Sequence, residues 1–167
     1  MADLDVNTWY AVFHHPTEAS IVLQLIPGND NGSLTMLAPD PTLQNYYWQI
    51  LTFGIYYSFR NRALGASKQL DVWKNYADTY PDNTHPVMAD TSIDAPGQIW
   101  QMTATGDGYW YLTTTANGSN ARLDVHEFYP EPFIDTMGGV HMGEYWSFSS
   151  IEPINDVAFS TGISNST

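Results

Sequence analysis

Four positions recur three times along this chain, in the same order, and that repeat restricts the fold more than any local propensity does. Tyr10, Tyr57 and Trp110 each stand 13 residues before a leucine, Leu23, Leu70 or Leu123. Those leucines open Leu23-Gln24-Leu25, Leu70-Asp71-Val72 and Leu123-Asp124-Val125. A methionine follows in each cycle (Met36, Met88, Met137), then a tryptophan (Trp48, Trp100, Trp146), after gaps of 12, 12 and 9 residues. Self-similarity at such a period marks a supersecondary unit that cannot bury its apolar face alone and buries it against its copies.

Each cycle reads as four short strands. The first has Trp9 to Phe13, Ile21 to Ile26, Leu34 to Leu37 and Tyr46 to Phe53, with turn signals at Pro27-Gly28-Asn29-Asp30-Asn31-Gly32 and at Pro39 and Pro41. The second has Ile55 to Phe59, Gln69 to Trp73, Val87 to Ala89 and Gln98 to Thr103, with a long loop from Asn75 to Thr84. The third has Tyr109 to Thr113, Arg122 to Glu127, a short piece near Ile134 to Met137, and Tyr145 to Ser149. No segment sustains a helical period with caps. Three such units close into a barrel with a hairpin cap, which leaves few open edges and places the repeated Leu, Met and Trp inside. The expectation is one all-β domain over residues 1–167, with repeats at about 8–53, 54–104 and 105–150 and a tail over 151–167.

Charge narrows the function. Five Lys and Arg stand against 18 Asp and Glu, a formal net charge of −13. Phosphate backbones and anionic membrane surfaces need cations, so neither nucleic acid nor membrane is an expected partner. With no cysteine there is no disulfide framework, thiol nucleophile or thiolate-held metal. Met1-Ala2-Asp3-Leu4-Asp5-Val6 carries no basic or apolar leader pattern, so a cytoplasmic location is the expectation, with a trimmed secreted chain as the other possibility. Three glycosylation sequons, at Asn31, Asn117 and Asn165, matter only in that second case.

At Gln98-Ile99-Trp100 the repeat meets a known pattern. A Gln-x-Trp triplet recurring once per repeat resembles the ricin-B-type β-trefoil lectins, in particular their fungal members, over about residues 8 to 150. The resemblance implies a β-trefoil and a carbohydrate or other small polar ligand, with no catalysis, no cofactor and no metal. In that family the acid of a Leu-Asp-Val-like strand accepts sugar hydroxyls, an aromatic ring stacks on the sugar, and an Asn beside the triplet completes the contacts. Here the second repeat keeps Asp71 and Gln98 but has Gly97 for the Asn and Met88 where the stacking ring often stands. The third keeps Asp124, with Glu144 for Gln and Gly143 for Asn; the first has Gln24 for the acid and Tyr46 for Gln.

A sugar site needs a carboxylate for charge-assisted hydrogen bonds and an aromatic face for C–H contact. The candidates are Asp71, Trp73, Asn75, Tyr76 and Gln98 in the second repeat, with Tyr80 beside them. In the third they are Asp124, Phe128 and Tyr129; the first is expected not to bind. The opposing reading is that both acids bond backbone N–H groups and serve the fold. Glu144 adds a second negative charge near Asp124 with no evident cation, which favours that reading in the third repeat.

Other constellations are thinner. His14 and His15 point to opposite strand faces and cannot share one ion. His126 shares a face with Asp124, and His141 can only be guessed as a third ligand. Gly106-Asp107-Gly108 is a hairpin turn, and Arg60, Arg62 and Lys68 read as one loop region. The tail through Phe159 is expected to add a closing strand near the first. Two other functions stay open: a trefoil recruited as a small-molecule cyclase or isomerase with an enclosed aromatic pocket, and a loop-mediated protein binder such as a protease inhibitor.

Overall fold

The computed structural model describes residues 4–15, 21–28, 32–74, 84–125, 130–135 and 141–160, with the backbone alone for Trp73 and Lys74. Its strands are β1 (Thr8–His15), β2 (Val22–Leu25), β3 (Leu34–Leu37), β4 (Trp48–Phe53), β5 (Tyr56–Asn61) and β6 (Lys68–Lys74). They continue as β7 (Thr84–Asp90), β8 (Trp100–Ala104), β9 (Trp110–Thr114), β10 (Arg122–Val125), β11 (Pro132–Asp135) and β12 (Tyr145–Pro153). The described helical pieces are three 3₁₀ turns: Pro96–Gln98, Met142–Glu144 and Val157–Phe159. Gln98 therefore belongs to a turn, and the strand expected from Gln98 starts at Trp100, because Pro96 fixes the turn ahead of it.

Six strands close a ring. β1 pairs with β4, β4 with β5, β5 with β8, β8 with β9 and β9 with β12. β12 then returns to β1, from His15↔Tyr145 to Thr8↔Pro153. The closing contact is thus β12's own extension through Pro153, which takes in the start of the tail; the described residues behind it form a 3₁₀ turn. That turn still docks on the first repeat: Phe159 packs edge-on against Trp9 at 4.8 Å, and its carbonyl accepts from Gln49 Nε2 at 2.8 Å.

The hairpins β2–β3, β6–β7 and β10–β11 lean on one another across one end of the ring. Ile134 pairs with Thr84, Ser33 bridges Val87, and the Met36 N–H donates to the Pro130 carbonyl at 2.7 Å. The Met88 N–H donates to the Gly32 carbonyl at 2.9 Å. Gly32 has φ +81, and a Cβ there would stand 2.7 Å from the Met88 carbonyl oxygen, so the junction requires glycine. A six-stranded barrel capped by three hairpins, with one four-stranded unit used three times, is a β-trefoil.

The core explains the repeat. Trp48, Trp100 and Trp146 are fully buried, and their indole N–H groups donate to the carbonyls of Leu23, Leu70 and Leu123 at 2.7, 3.0 and 2.9 Å. A buried indole fills the barrel and satisfies a carbonyl of the second strand, which no aliphatic residue can do. The repeated methionine needs a correction. Met36 pairs with Leu23 and Met88 with Leu70, but the residue that pairs with Leu123 is Ile134. Ile134 is buried and stands 12 residues before Trp146, the same interval as in the other repeats. Met137 lies outside the described residues. The core selects apolar volume at a register position, and counting by residue type chose the wrong residue.

His14 and His15 do part to opposite sides of β1. His15 stacks on Tyr109 at 4.4 Å, while His14 is buried and hydrogen-bonds the Gly143 backbone carbonyl. Its counterpart Asn61 makes the same kind of bond to the Asn45 carbonyl at 2.8 Å. Burial lowers the His14 pKa to about 4, against a rise from the Gly143 carbonyl and a further lowering by His15. The unfolded chain therefore takes up a proton near pH 6.5 that the folded chain refuses until about 4. This contribution is fully present above pH 6.5 and is lost as pH falls through that window. Replacing His14 with Asn, the residue of the second repeat, is expected to make the protein gain roughly 2–3 kcal/mol relative to wild type between pH 7 and pH 4. Urea unfolding across that range measures it; parallel curves for the two chains would refute it.

Candidate functional site

The Trp-to-Leu-carbonyl bond fixes where a site can form. It brings the residue after each core leucine (Gln24, Asp71, Asp124) beside the pair just ahead of each tryptophan (Asn45-Tyr46, Gly97-Gln98, Gly143-Glu144). The three copies of this meeting point differ in charge and exposure.

In the second repeat the Asp71 carboxylate is half-buried and held from two sides. Oδ1 accepts from the Val72 N–H at 2.7 Å, and Oδ2 accepts from Gln98 Nε2 at 3.0 Å. Gln98 is itself locked: Nε2 also donates to the Asp90 carbonyl at 2.8 Å, and Oε1 accepts from the Ser92 N–H at 2.9 Å. Gly97 makes room for the acid, since a Cβ there would stand 2.0 Å from Asp71 Oδ1. The carboxylate occupies the space in which the lectin-type Asn side chain would begin. Each oxygen spends one interaction inside, which leaves acceptor capacity for hydroxyls. Trp73 follows two residues along β6, opposite His85. Asn75, Tyr76 and Tyr80 lie outside the described residues.

The third repeat is more buried and more charged. Asp124 is 5% exposed; its Oδ1 accepts from the Val125 N–H at 2.6 Å, and a Cβ on Gly143 would stand 1.8 Å from that oxygen. The expectation that Glu144 lacks a cation is wrong. Arg122 Nη1 meets Glu144 Oε2 at 2.6 Å, because β10 carries Arg122 and Asp124 on one face. The guanidinium also lies over the Tyr111 ring at 4.0 Å. Asp135, opposite Arg122 on β11, adds a third buried carboxylate, and His141 Nε2 stands 3.5 Å from it. Burial pushes the Asp124 carboxyl up to about 6, opposed by the Val125 N–H and His141, and Glu144 and Asp135 push the same way as burial. His126, Phe128 and Tyr129 lie outside the described residues.

In the first repeat the meeting point is closed by amides. Asn45 Nδ2 donates to Gln24 Oε1 at 2.9 Å and to the Leu25 carbonyl at 2.8 Å, and Gln24, Asn45 and Tyr46 are all buried. Sequence reasoning missed Arg122 and Asp135, which carry no motif and become neighbours only through strand register. It also grouped the other basic residues wrongly. Arg60 stands on β5 and Lys68 on β6, where Lys68 pairs with Asp90 at 2.8 Å; Arg62 pairs with Glu152 at 2.6 Å.

Several solved structures share this architecture. The designed threefold-symmetric protein ThreeFoil matches with a TM-score of 0.67 at 20% identity, over 88% of this chain and 100% of its own. The fold is the β-trefoil. SeviL, solved bound to the asialo-GM1 saccharide, matches with a TM-score of 0.59 at 14% identity, over 85% of this chain and 96% of its own. The GlcNAcα1-4Gal-releasing endo-β-galactosidase from Clostridium perfringens matches with a TM-score of 0.68 at 12% identity, over 87% of this chain. This chain spans only 33% of that enzyme. No family profile and no curated protein sequence matches the chain.

Proposed function

We propose that this protein is a non-catalytic carbohydrate-binding module of ricin-B-like type, with its principal site beside Asp71. The observation that carries the reading is the Asp71 carboxylate, half-exposed and held by the Val72 N–H and the Gln98 amide. An ionised group fixed in this way meets two neighbouring hydroxyls without reorganising, which makes charge-assisted bonds strong. Trp73, with Asn75 and Tyr76 in the loop beyond it, is the proposed source of stacking and of further hydrogen bonds. Asp124, with Phe128 and Tyr129, is at most a secondary site, since its carboxylate is 5% exposed. The first repeat presents no acid and takes no sugar in this reading.

A glycan array followed by titration of the best responder tests the reading. Asp71→Ala is expected to weaken binding about 10- to 100-fold, as loss of one or two charge-assisted hydrogen bonds does. Asp124→Ala is expected to change it less than threefold, on the order of 0.5 kcal/mol. An array without signal for the wild-type chain removes the sugar reading, and an intact affinity in Asp71→Ala removes the site.

A further inference from the structure

The second repeat joins its two site residues through an amide, with Gln98 donating to Asp71 Oδ2. The third repeat has Asp124 and Glu144 at those positions, and two ionised carboxylates offer no proton to bond with. Asp135 adds a third, and one oxygen from each of the three lies within 4.8 Å of the others, all on buried residues. Opposing them are Arg122, bonded to Glu144, and His141 beside Asp135. From β9 and β12 the facing groups are Tyr111, whose hydroxyl pKa is pushed up to about 12 by its hydrogen bond to Tyr145, and Tyr145 itself. From β1 come the buried His14, bonded to the Gly143 carbonyl, and His15 on the outer side against Tyr109 and Tyr145. Among the described residues, three carboxylates face one permanent cation, which leaves an excess of negative charge in a buried place.

We propose that Asp124 and Glu144 share one proton in mild acid, forming a latch between the β10–β11 hairpin and the Met142–Glu144 turn that loosens as pH rises toward neutrality. With Asp124 protonated, its O–H donates to Glu144, the counterpart in reverse of the Gln98-to-Asp71 bond. Glu144 is a fixed acceptor, since it already holds Arg122 and takes the His141 N–H at 3.4 Å. As pH rises toward neutrality the proton leaves and the carboxylates repel, which weakens the hold of β10 on the turn to the Arg122–Glu144 ion pair. The upward push on Asp124 from burial agrees with this. The latch does not depend on the sugar reading, and neither does its test.

Carboxyl-carbon NMR follows Asp124 directly, while amide exchange at Glu144 to Trp146 follows the turn. The wild-type Asp124 signal is expected to titrate more than one pH unit above an ordinary aspartate. Exchange of those amides, corrected for intrinsic rate, is expected to rise about tenfold between pH 5 and 7.5, the factor that one unit of pKa shift carries. Arg122→Gln/Glu144→Gln installs the second repeat's Gln69 and Gln98 here and should bring the Asp124 titration down, with burial still holding it above an ordinary aspartate, and abolish the rise. Asp124→Asn, which keeps a donor toward Glu144 at every pH, should abolish it too and serves if the double variant does not fold. Titration of wild-type Asp124 below pH 5, or an unchanged exchange profile in the variants, overturns the proposal.

Discussion

Trp100→Ala is expected to come close to unfolding the protein. The side chain is fully buried, so its removal loses transfer free energy and leaves a cavity, together about 3–5 kcal/mol. The Leu70 carbonyl loses its indole donor at 3.0 Å and stays buried, which adds about 1–3 kcal/mol. Domains of this size hold about 5–15 kcal/mol in all. The thermal midpoint should fall by roughly 10–20 °C, read by circular dichroism or calorimetry. Trp100→Phe separates the two effects, since it keeps most of the ring volume but still orphans the carbonyl. Trp48→Ala and Trp146→Ala should cost the same as Trp100→Ala within about 1 kcal/mol, because all three indoles make the same bond in the same setting. A mild effect at Trp100, or widely different effects at the three sites, would contradict a threefold core.

Gly97→Asn restores the residue that the lectin resemblance places beside the Gln-x-Trp triplet, and it is expected to do harm. The new Cβ would stand 2.0 Å from Asp71 Oδ1 and 3.0 Å from Val72 Cγ2. Asp71 has to leave the Val72 N–H and Gln98, and two charge-assisted hydrogen bonds are lost or bent. A destabilisation of about 2–4 kcal/mol follows, with a loss of whatever affinity Asp71 supplies. The first repeat accommodates Asn45 because its partner is Gln24, whose amide oxygen receives the Asn45 Nδ2 donor. The paired change Asp71→Gln/Gly97→Asn should therefore recover most of the lost stability without recovering ligand binding. Denaturant midpoints and sugar titrations on the three chains decide the matter. Tighter binding by Gly97→Asn would mean that the acid is not fixed where the structure places it.

Both predictions show which parts of this protein could be read from its residues. The fold could be read because its cause is repeated. Leu23 and Trp48, with their counterparts in the other two cycles, recur in order since each barrel layer needs the same volume three times; Tyr10 and Tyr57 join that core, while Trp110 is only partly buried. Two candidate residues, Asp71 and Gln98, were also legible, because the second strand and the Gln-x-Trp segment carry recognisable local patterns, and the structure brings the pair into hydrogen-bond contact. Where residue identity was followed in place of register the reading slipped, as with Met137 for Ile134.

What the linear order could not give is which charges meet. Arg122, Asp135 and Glu144 are spread over more than 20 residues, and of the three only Glu144 stands at a motif position. They converge because β10 pairs with β11 while the Met142–Glu144 turn folds back beside them. That convergence makes the third repeat a buried cluster of three carboxylates beside one guanidinium, whereas the second keeps its acid half-buried. The sequence by itself determined a threefold all-β chain with Leu and Trp at its centre, since periodic burial is written in residue type. Only the tertiary structure decided that Gly97 and Gly143 are spaces filled by aspartates and that Arg122 is the cation of the third repeat. Electrostatics and close packing depend on distances across strands, and those distances are set by closure of the barrel.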